Sequence, residues 1–331
     1  MVILSEVQAS NAQIATALPP GLVAVFVGGT NGIGEAALLE FARQALQPRV
    51  YFVGRSQEAG DRIATECRDL NPNGEFTFME ADLSLMRNVE DVCQEIKSKE
   101  NAINLLFLSC GVAMTGVDTS EGLHITLAVG YYARVRFTIN LLPLLRQATG
   151  LRRVVTVLAG GHDGPIDPND FQARRMSIFS LRGQVVSMTD LMLEELAKQA
   201  PEVSFVHDYP GTVKTGIGRD ANTLLVRIVS WIMPVVGLFL YIPIQESGER
   251  HLFFATSDKY PPRTGDQVGV PGGVGVADGT DGESGSGVYS IHWDGESVAR
   301  VVGLLRGLRE QGMAQQVWNH TQGEFKRIFG A

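Results

Sequence analysis

The sequence predicts an α/β fold, a doubly wound parallel sheet with helices on both faces. Three observations predict it. A short β-rich apolar run, Leu22 to Val27, ends in a glycine cluster; segments of strand length then alternate with segments of helical periodicity; and the alternation continues to about His207.

The elements follow in order. After a polar lead-in, LVAVFV reads as a strand buried on both faces, and residues 35–46 carry apolar positions at helical spacing until Pro48 stops them. Val50 to Val53 opens the next strand, Asp61 to Leu70 reads as helix, Phe76 to Met79 as strand, and Asn88 to Ser98 as helix. Ile103 to Leu108 is a strand, Gly122 to Leu145 a long helical stretch, and Val154 to Leu158 a strand. Val185 to Gln199 reads as helix and Val203 to His207 as strand. A sheet built this way places ligands at the carboxyl ends of its strands.

Two later segments break the rhythm. Leu224 to Ile244 is long and apolar, but Arg227, Pro234 and Pro243 count against a membrane span. A lid over an apolar substrate pocket is the preferred reading, with shallow peripheral membrane contact through 224–244 as the second. Pro261 to Gly287 is rich in Gly and Asp and reads as a long loop, followed by closing helices over Val298–Arg309 and Met313–Ile328. The expectation is one domain over 1–331, with a core at about 22–215, a lid segment at about 216–250, and a C-terminal loop and helices at about 251–331.

Composition narrows the function. The chain has 331 residues, 44% apolar and 19% charged, enough to bury a large core, and its formal charge of −8 argues against a nucleic-acid partner. Cys67, Cys93 and Cys110 show no C-x-x-C spacing, so neither a zinc site nor a disulfide framework is expected, and a reducing compartment fits best. Glu6, Gln8, Asn11 and Gln13 interrupt any apolar leader, which points to a cytoplasmic protein. For the same reason the sequon Asn319-His320-Thr321 is not expected to be glycosylated.

The glycine cluster carries the first chemistry. Gly28-Gly29-Thr30-Asn31-Gly32-Ile33-Gly34 lies between a strand and its helix, where bare amides and the helix dipole can face a diphosphate. Gly28 allows the tight turn, Gly32 the approach of phosphates to the backbone, and Gly34 the packing of helix on strand. This is a Rossmann-type dinucleotide loop. The second strand ends in Gly54-Arg55-Ser56, where an NAD site usually presents a carboxylate to the ribose. Arg55 can instead pair with a 2′-phosphate, so NADP(H) is expected over NAD(H).

These residues resemble the short-chain dehydrogenase/reductase family, with landmarks in order from about Val23 to Thr215. VGGTNGIG is similar to the family's TGxxxGIG. Ala81-Asp82-Leu83 resembles the acidic position at the adenine, and Ser109-Cys110-Gly111 stands where NNAG is expected. Tyr209-Pro210-Gly211-Thr212-Val213-Lys214-Thr215 resembles the PGxVxT segment beside the nicotinamide. The resemblance implies nucleotide contacts at Gly28, Thr30, Asn31, Gly32, Ile33, Gly34, Arg55, Asp82, Leu83, Ser109, Cys110, Gly111, Pro210, Gly211, Val213 and Thr215. The chain is also similar to fungal members associated with secondary metabolism, and a homo-oligomer stays open because many relatives are dimers or tetramers.

The family's catalytic Tyr, Lys, Ser and Asn are not evident. None of the seven tyrosines has a lysine four residues on, so YxxxK is absent. An ungapped alignment puts Arg182 at the Tyr position, Val186 at the Lys position, Leu158-Ala159 at the serine pair and Gly130 at the Asn. Val and Ala cannot move protons, and hydride transfer to a ketone leaves an alkoxide that needs an acid. Replacement candidates at the strand ends are His162, Arg182, Asp163, Tyr131, Cys110 and Tyr209. His162 is the best placed in pKa, and Arg182 can stabilise an oxyanion without donating its proton. Three readings remain: a divergent NADP(H)-dependent oxidoreductase acting on an apolar small molecule; a redox-neutral cyclase, isomerase or dehydratase; and a non-catalytic NADP(H)-binding subunit.

Overall fold

The computed structural model describes residues 1–215, 241–265 and 269–330. Seven strands, all parallel, form one sheet: β1 (Val23–Val27), β2 (Arg49–Gly54), β3 (Glu75–Glu80), β4 (Leu105–Leu108), β5 (Arg153–Val157), β6 (Ser204–Asp208) and β7 (Val288–Ile291). The order is β3-β2-β1-β4-β5-β6-β7, so the direction of winding reverses between β1 and β4. That reversal opens a crevice at the carboxyl ends of these strands, as doubly wound sheets require.

Pleating distributes β1 between two cores. Val23, Val25 and Val27 enter one apolar cluster, while Ala24 and Phe26 enter the other. On the second face pack α1 (Leu4–Asn11), α3 (Gly32–Gln44), α4 (Gln57–Leu70) and α9 (Ile244–Thr256); α2 (Ile14–Ala17) joins them through Ile14. On the first face pack α5 (Met86–Lys99), α7 (Ala133–Gln147), α8 (Ile178–Gln199), α10 (Ala299–Glu310) and α11 (Met313–Phe329). A short α6 (Ile125–Leu127) leads into α7 through a π-helical stretch, Ala128–Tyr132, which contains Gly130. Such stretches shift the register of the side chains that follow.

The core strands and helices stand where the sequence places them, with most ends moved by a few residues and the start of α8 moved from Val185 to Ile178. Three features differ. The polar lead-in folds as α1 and α2, because α1 packs on α9 and Val7 and Ile14 are buried in the second apolar cluster despite the weak apolar patterning around them. The loop over 261–287 is followed by a seventh strand, Val288–Ile291, that joins β6. Helix α9 runs across residue 250, where the sequence places the end of the lid, and packs on α3 and β5.

Most of the lid segment, 216–240, lies outside the described residues, and with it most of 224–244. The chain leaves this region and returns at one point: Val213 and Ile242 form a parallel bridge, and Ile242 N donates to Thr212 O at 2.9 Å. No helix among the described residues is long and apolar enough to cross a membrane.

Candidate functional site

A cleft of about 520 Å³ occupies the crevice at the carboxyl ends of the strands. Its first wall is the turn after β1. Gly28 has φ +92°, a conformation suited to glycine, and its amide donates to Val53 O of β2 at 3.0 Å. A Cβ on Gly28 would lie 2.8 Å from Cys110 N, and one on Gly34 would lie 2.4 Å from Gly28 O and 2.3 Å from Ser109 Oγ. Bare glycines therefore let α3 close against β1 and β4. The first amides of α3 have no carbonyl one turn earlier, so they face the cleft as donors. These features fit a dinucleotide diphosphate.

The sixteen residues expected to contact a nucleotide all line this cleft. Arg55 stands at the end of β2 before the Ser56 cap of α4, whose Oγ accepts from Ala59 N at 3.3 Å. Asp82 follows β3, and its Oδ1 accepts from Ser84 N at 3.0 Å. Ser109 to Gly111 close the end of β4, and Pro210 to Thr215 approach from β6. The Thr215 side chain comes within 3.2 Å of the Cβ position at Gly32, so the two segments meet over the turn.

The other half of the cleft is walled by Val112, Met114, Ile125, Val129 and Leu158, with Arg134, Arg182 and Tyr209 among them. Arg182, from α8, lies with its guanidinium carbon 5.2 Å from the Tyr209 ring centroid. Arg134, one helical turn after Gly130, is 3% exposed. Its Nη1 donates to Leu108 O at 2.9 Å, and its Nη2 donates to Cys110 O at 2.5 Å and Val157 O at 2.9 Å. It thereby ties the ends of β4 and β5. The sequence signal that could have found it is a lone cation in an otherwise apolar helix face.

Among the catalytic candidates, Arg182 lines the cleft and His162 does not. His162 packs edge-on against Tyr209 with centroids 4.4 Å apart, and burial together with the Arg182 cation holds its imidazole below the usual range. The reason is local: Gly160-Gly161, with Gly161 at φ +79°, turns the chain after β5 and directs His162 behind Tyr209. Val186 is wholly buried and off the lining, so the expected lysine position does not reach the cleft.

Tyr131 is buried and its hydroxyl bonds Thr321 Oγ1 of α11 at 2.8 Å, away from the cleft. Cys110 lines the cleft, but burial pushes its thiol upward, which opposes a nucleophilic role. Asp163 turns inward to α8, where Ser187 Oγ donates to its Oδ1 at 3.4 Å. No group of His, Cys, Asp and Glu among the described residues is arranged to hold a metal.

Comparison with known proteins agrees with this geometry. Residues 22–162 match the short chain dehydrogenase family model. The oxidoreductase AN1596 of Emericella nidulans is 40% identical over 330 residues, covering 97% of each chain. The oxidoreductase andH of Emericella variicolor is 38% identical, covering 94% of this chain and 93% of its own. Among solved structures, L-sorbose reductase from Gluconobacter frateurii, complexed with NADPH and L-sorbose, superposes with a TM-score of 0.56 at 16% identity, covering 72% of this chain and 91% of that one. With a Rossmann-type sheet, the glycine turn at its switch point and relatives matched end to end, the chain belongs to the short-chain dehydrogenase/reductase family.

Proposed function

We propose that this protein is an NADP(H)-binding oxidoreductase acting on an apolar small molecule, in the manner of enzymes of secondary metabolism. The observation that carries the reading is the cleft itself, in which the glycine turn, Arg55 and Asp82 converge on one side and apolar side chains on the other. The oxidoreductase names of its relatives and the NADPH complexes among its structural neighbours support it.

In this reading Gly32 to Gly34 hold the diphosphate on the amides of α3, Arg55 pairs with the 2′-phosphate, and Asp82 meets the adenine. Bound nucleotide supplies the hydride donor or acceptor. Arg182 faces the substrate oxygen and stabilises negative charge developing there, since a guanidinium keeps its proton throughout. His162 acts through Tyr209 as a positioning residue, holding that ring beneath Arg182.

A second reading is favoured by one specific observation. Leu158 occupies the cleft at the end of β5 where the family resemblance implies a serine, so the usual carbonyl-polarising hydroxyl is replaced by an alkyl group. A redox-neutral cyclase, isomerase or dehydratase, or a non-catalytic NADP(H)-binding subunit, needs no such hydroxyl. The test incubates purified protein with NADPH and extract metabolites and follows nicotinamide absorbance alongside product mass. Oxidation of NADPH supports the first reading. Product of equal mass, or product lighter by water without cofactor use, supports the redox-neutral alternative. NADPH binding without turnover leaves the subunit reading.

A further inference from the structure

At the substrate end of the cleft, in the reading above on which this inference rests, the two charged side chains are both cations. Arg134 carries its charge from beneath. Its guanidinium bonds three backbone carbonyls and no carboxylate among the described residues, and its Nε is buried without a partner. Asp208, the acid that acts on it through space, is already engaged by His251 Nε2 at 2.9 Å. Arg182 carries its charge at the surface of the cleft, exposed above the Tyr209 ring and without an ion pair among the described residues.

The sole carboxylate among the described lining residues is Asp82. It follows β3, and the sheet order puts β2 and β1 between it and the ends of β4 and β5 that Arg134 of α7 ties, with β6 and Tyr209 beyond them. The walls around the cations are apolar: Val112, Met114, Ile125, Val129 and Leu158. Apolar walls of one charge sign focus the field on whatever enters. A neutral hydrocarbon would gain nothing from it, whereas an anion would gain a bidentate partner in Arg182.

We propose that the substrate is an apolar molecule bearing an anionic oxygen group, a carboxylate or an enolate, which meets Arg182 while Arg134 adds positive charge from below. The apolar walls take the carbon skeleton, and the acid group fixes which end faces the β4 and β5 termini.

The experiment uses 2-naphthoate and its neutral near-isostere 2-naphthamide, titrated calorimetrically into the full chain with and without NADPH. The acid is expected to bind at least about tenfold tighter than the amide. Its affinity should fall as salt rises from about 50 to about 500 mM while that of the amide stays level. In Arg182→Met, checked for native circular dichroism, the two ligands should bind within about twofold of each other. Equal affinities in the wild type, binding of neither ligand, or an acid preference that survives Arg182→Met overturns the inference. An acid preference with no heat from NADPH upholds it and overturns the dinucleotide reading instead.

Discussion

Asp190 Oδ1 lies 2.6 Å from His207 Nδ1, and neither side chain has any solvent exposure. The far nitrogen of the ring, Nε2, accepts from Ala159 N at 3.4 Å, so Nδ1 holds the proton and donates to the carboxyl group. Asp163 reaches Asp190 from the loop after β5, and Oδ2 of each is otherwise without a partner among the described residues. A single proton on Asp163, donated to Asp190, satisfies both oxygens.

That network makes stability depend on pH. Burial, with the Asp190 charge beside it, pushes Asp163 up to about 8, and burial pushes His207 down to about 4. The raised Asp163 carboxyl, which holds the pair's one proton, contributes stability that is fully present below its unfolded value and is lost as pH rises through about 8. His207, neutral in the fold, opposes that trend only below its unfolded value near 6.5. The unfolding free energy from denaturant titrations should therefore decline between about pH 6.5 and 8, by roughly 1 kcal/mol per unit. Asp163→Asn, whose amide donates as the protonated acid does, should flatten this decline. A slope unchanged in the variant would reject the shared proton.

Gly34 and Gly32 fail differently when substituted. Gly34→Ala drives Cβ into Gly28 O and Ser109 Oγ, and should cost about 2–4 kcal/mol of stability by chemical denaturation. Gly32→Val combines φ +62° with Thr215 at 3.2 Å and fills the path to the α3 amides. It should weaken NADPH roughly a hundredfold, about 3 kcal/mol, in a fluorescence titration. Unchanged affinity would remove the diphosphate from this turn.

Arg55→Asp tests the choice of nucleotide. A carboxylate at the end of β2 repels a 2′-phosphate and accepts from a ribose hydroxyl. NADPH should weaken by roughly tenfold or more while NADH changes by less than about threefold. Parallel loss of both would assign Arg55 a general role in the wall.

Arg134 and Arg153 are both buried arginines with opposite expected responses to methionine. Arg134 bonds three strand-end carbonyls, and Arg134→Met should destabilise by about 2–4 kcal/mol. Among the described residues Arg153 donates once, from Nη1 to Phe254 O at 2.8 Å, and its Nε and Nη2 lack partners; burial pushes it down to about 10. Arg153→Met should be neutral or stabilising by about 1 kcal/mol. Thermal unfolding of the two variants side by side checks both signs.

The cofactor half of the cleft was legible in the sequence because its information is local. Gly28, Gly32 and Gly34 lie within one turn, and Arg55, Asp82 and Ser109 follow directly from strand ends that apolar runs reveal. The substrate half was not, because there the direction of a side chain depends on distant partners. His162 has the right chemistry, but the turn at Gly160-Gly161 sends it behind Tyr209. Arg134 has no motif and gains its place only when the ends of β4 and β5 come together around it. Strand β7 was hidden for a similar reason: four residues after a glycine-rich loop become a strand only through pairing with β6.

The parallel bridge between Val213 and Ile242 clamps the chain that follows β6 to the chain that enters α9. Val213 lines the cleft and Ile242 does not, so a substitution at Ile242 can shift that wall from outside it.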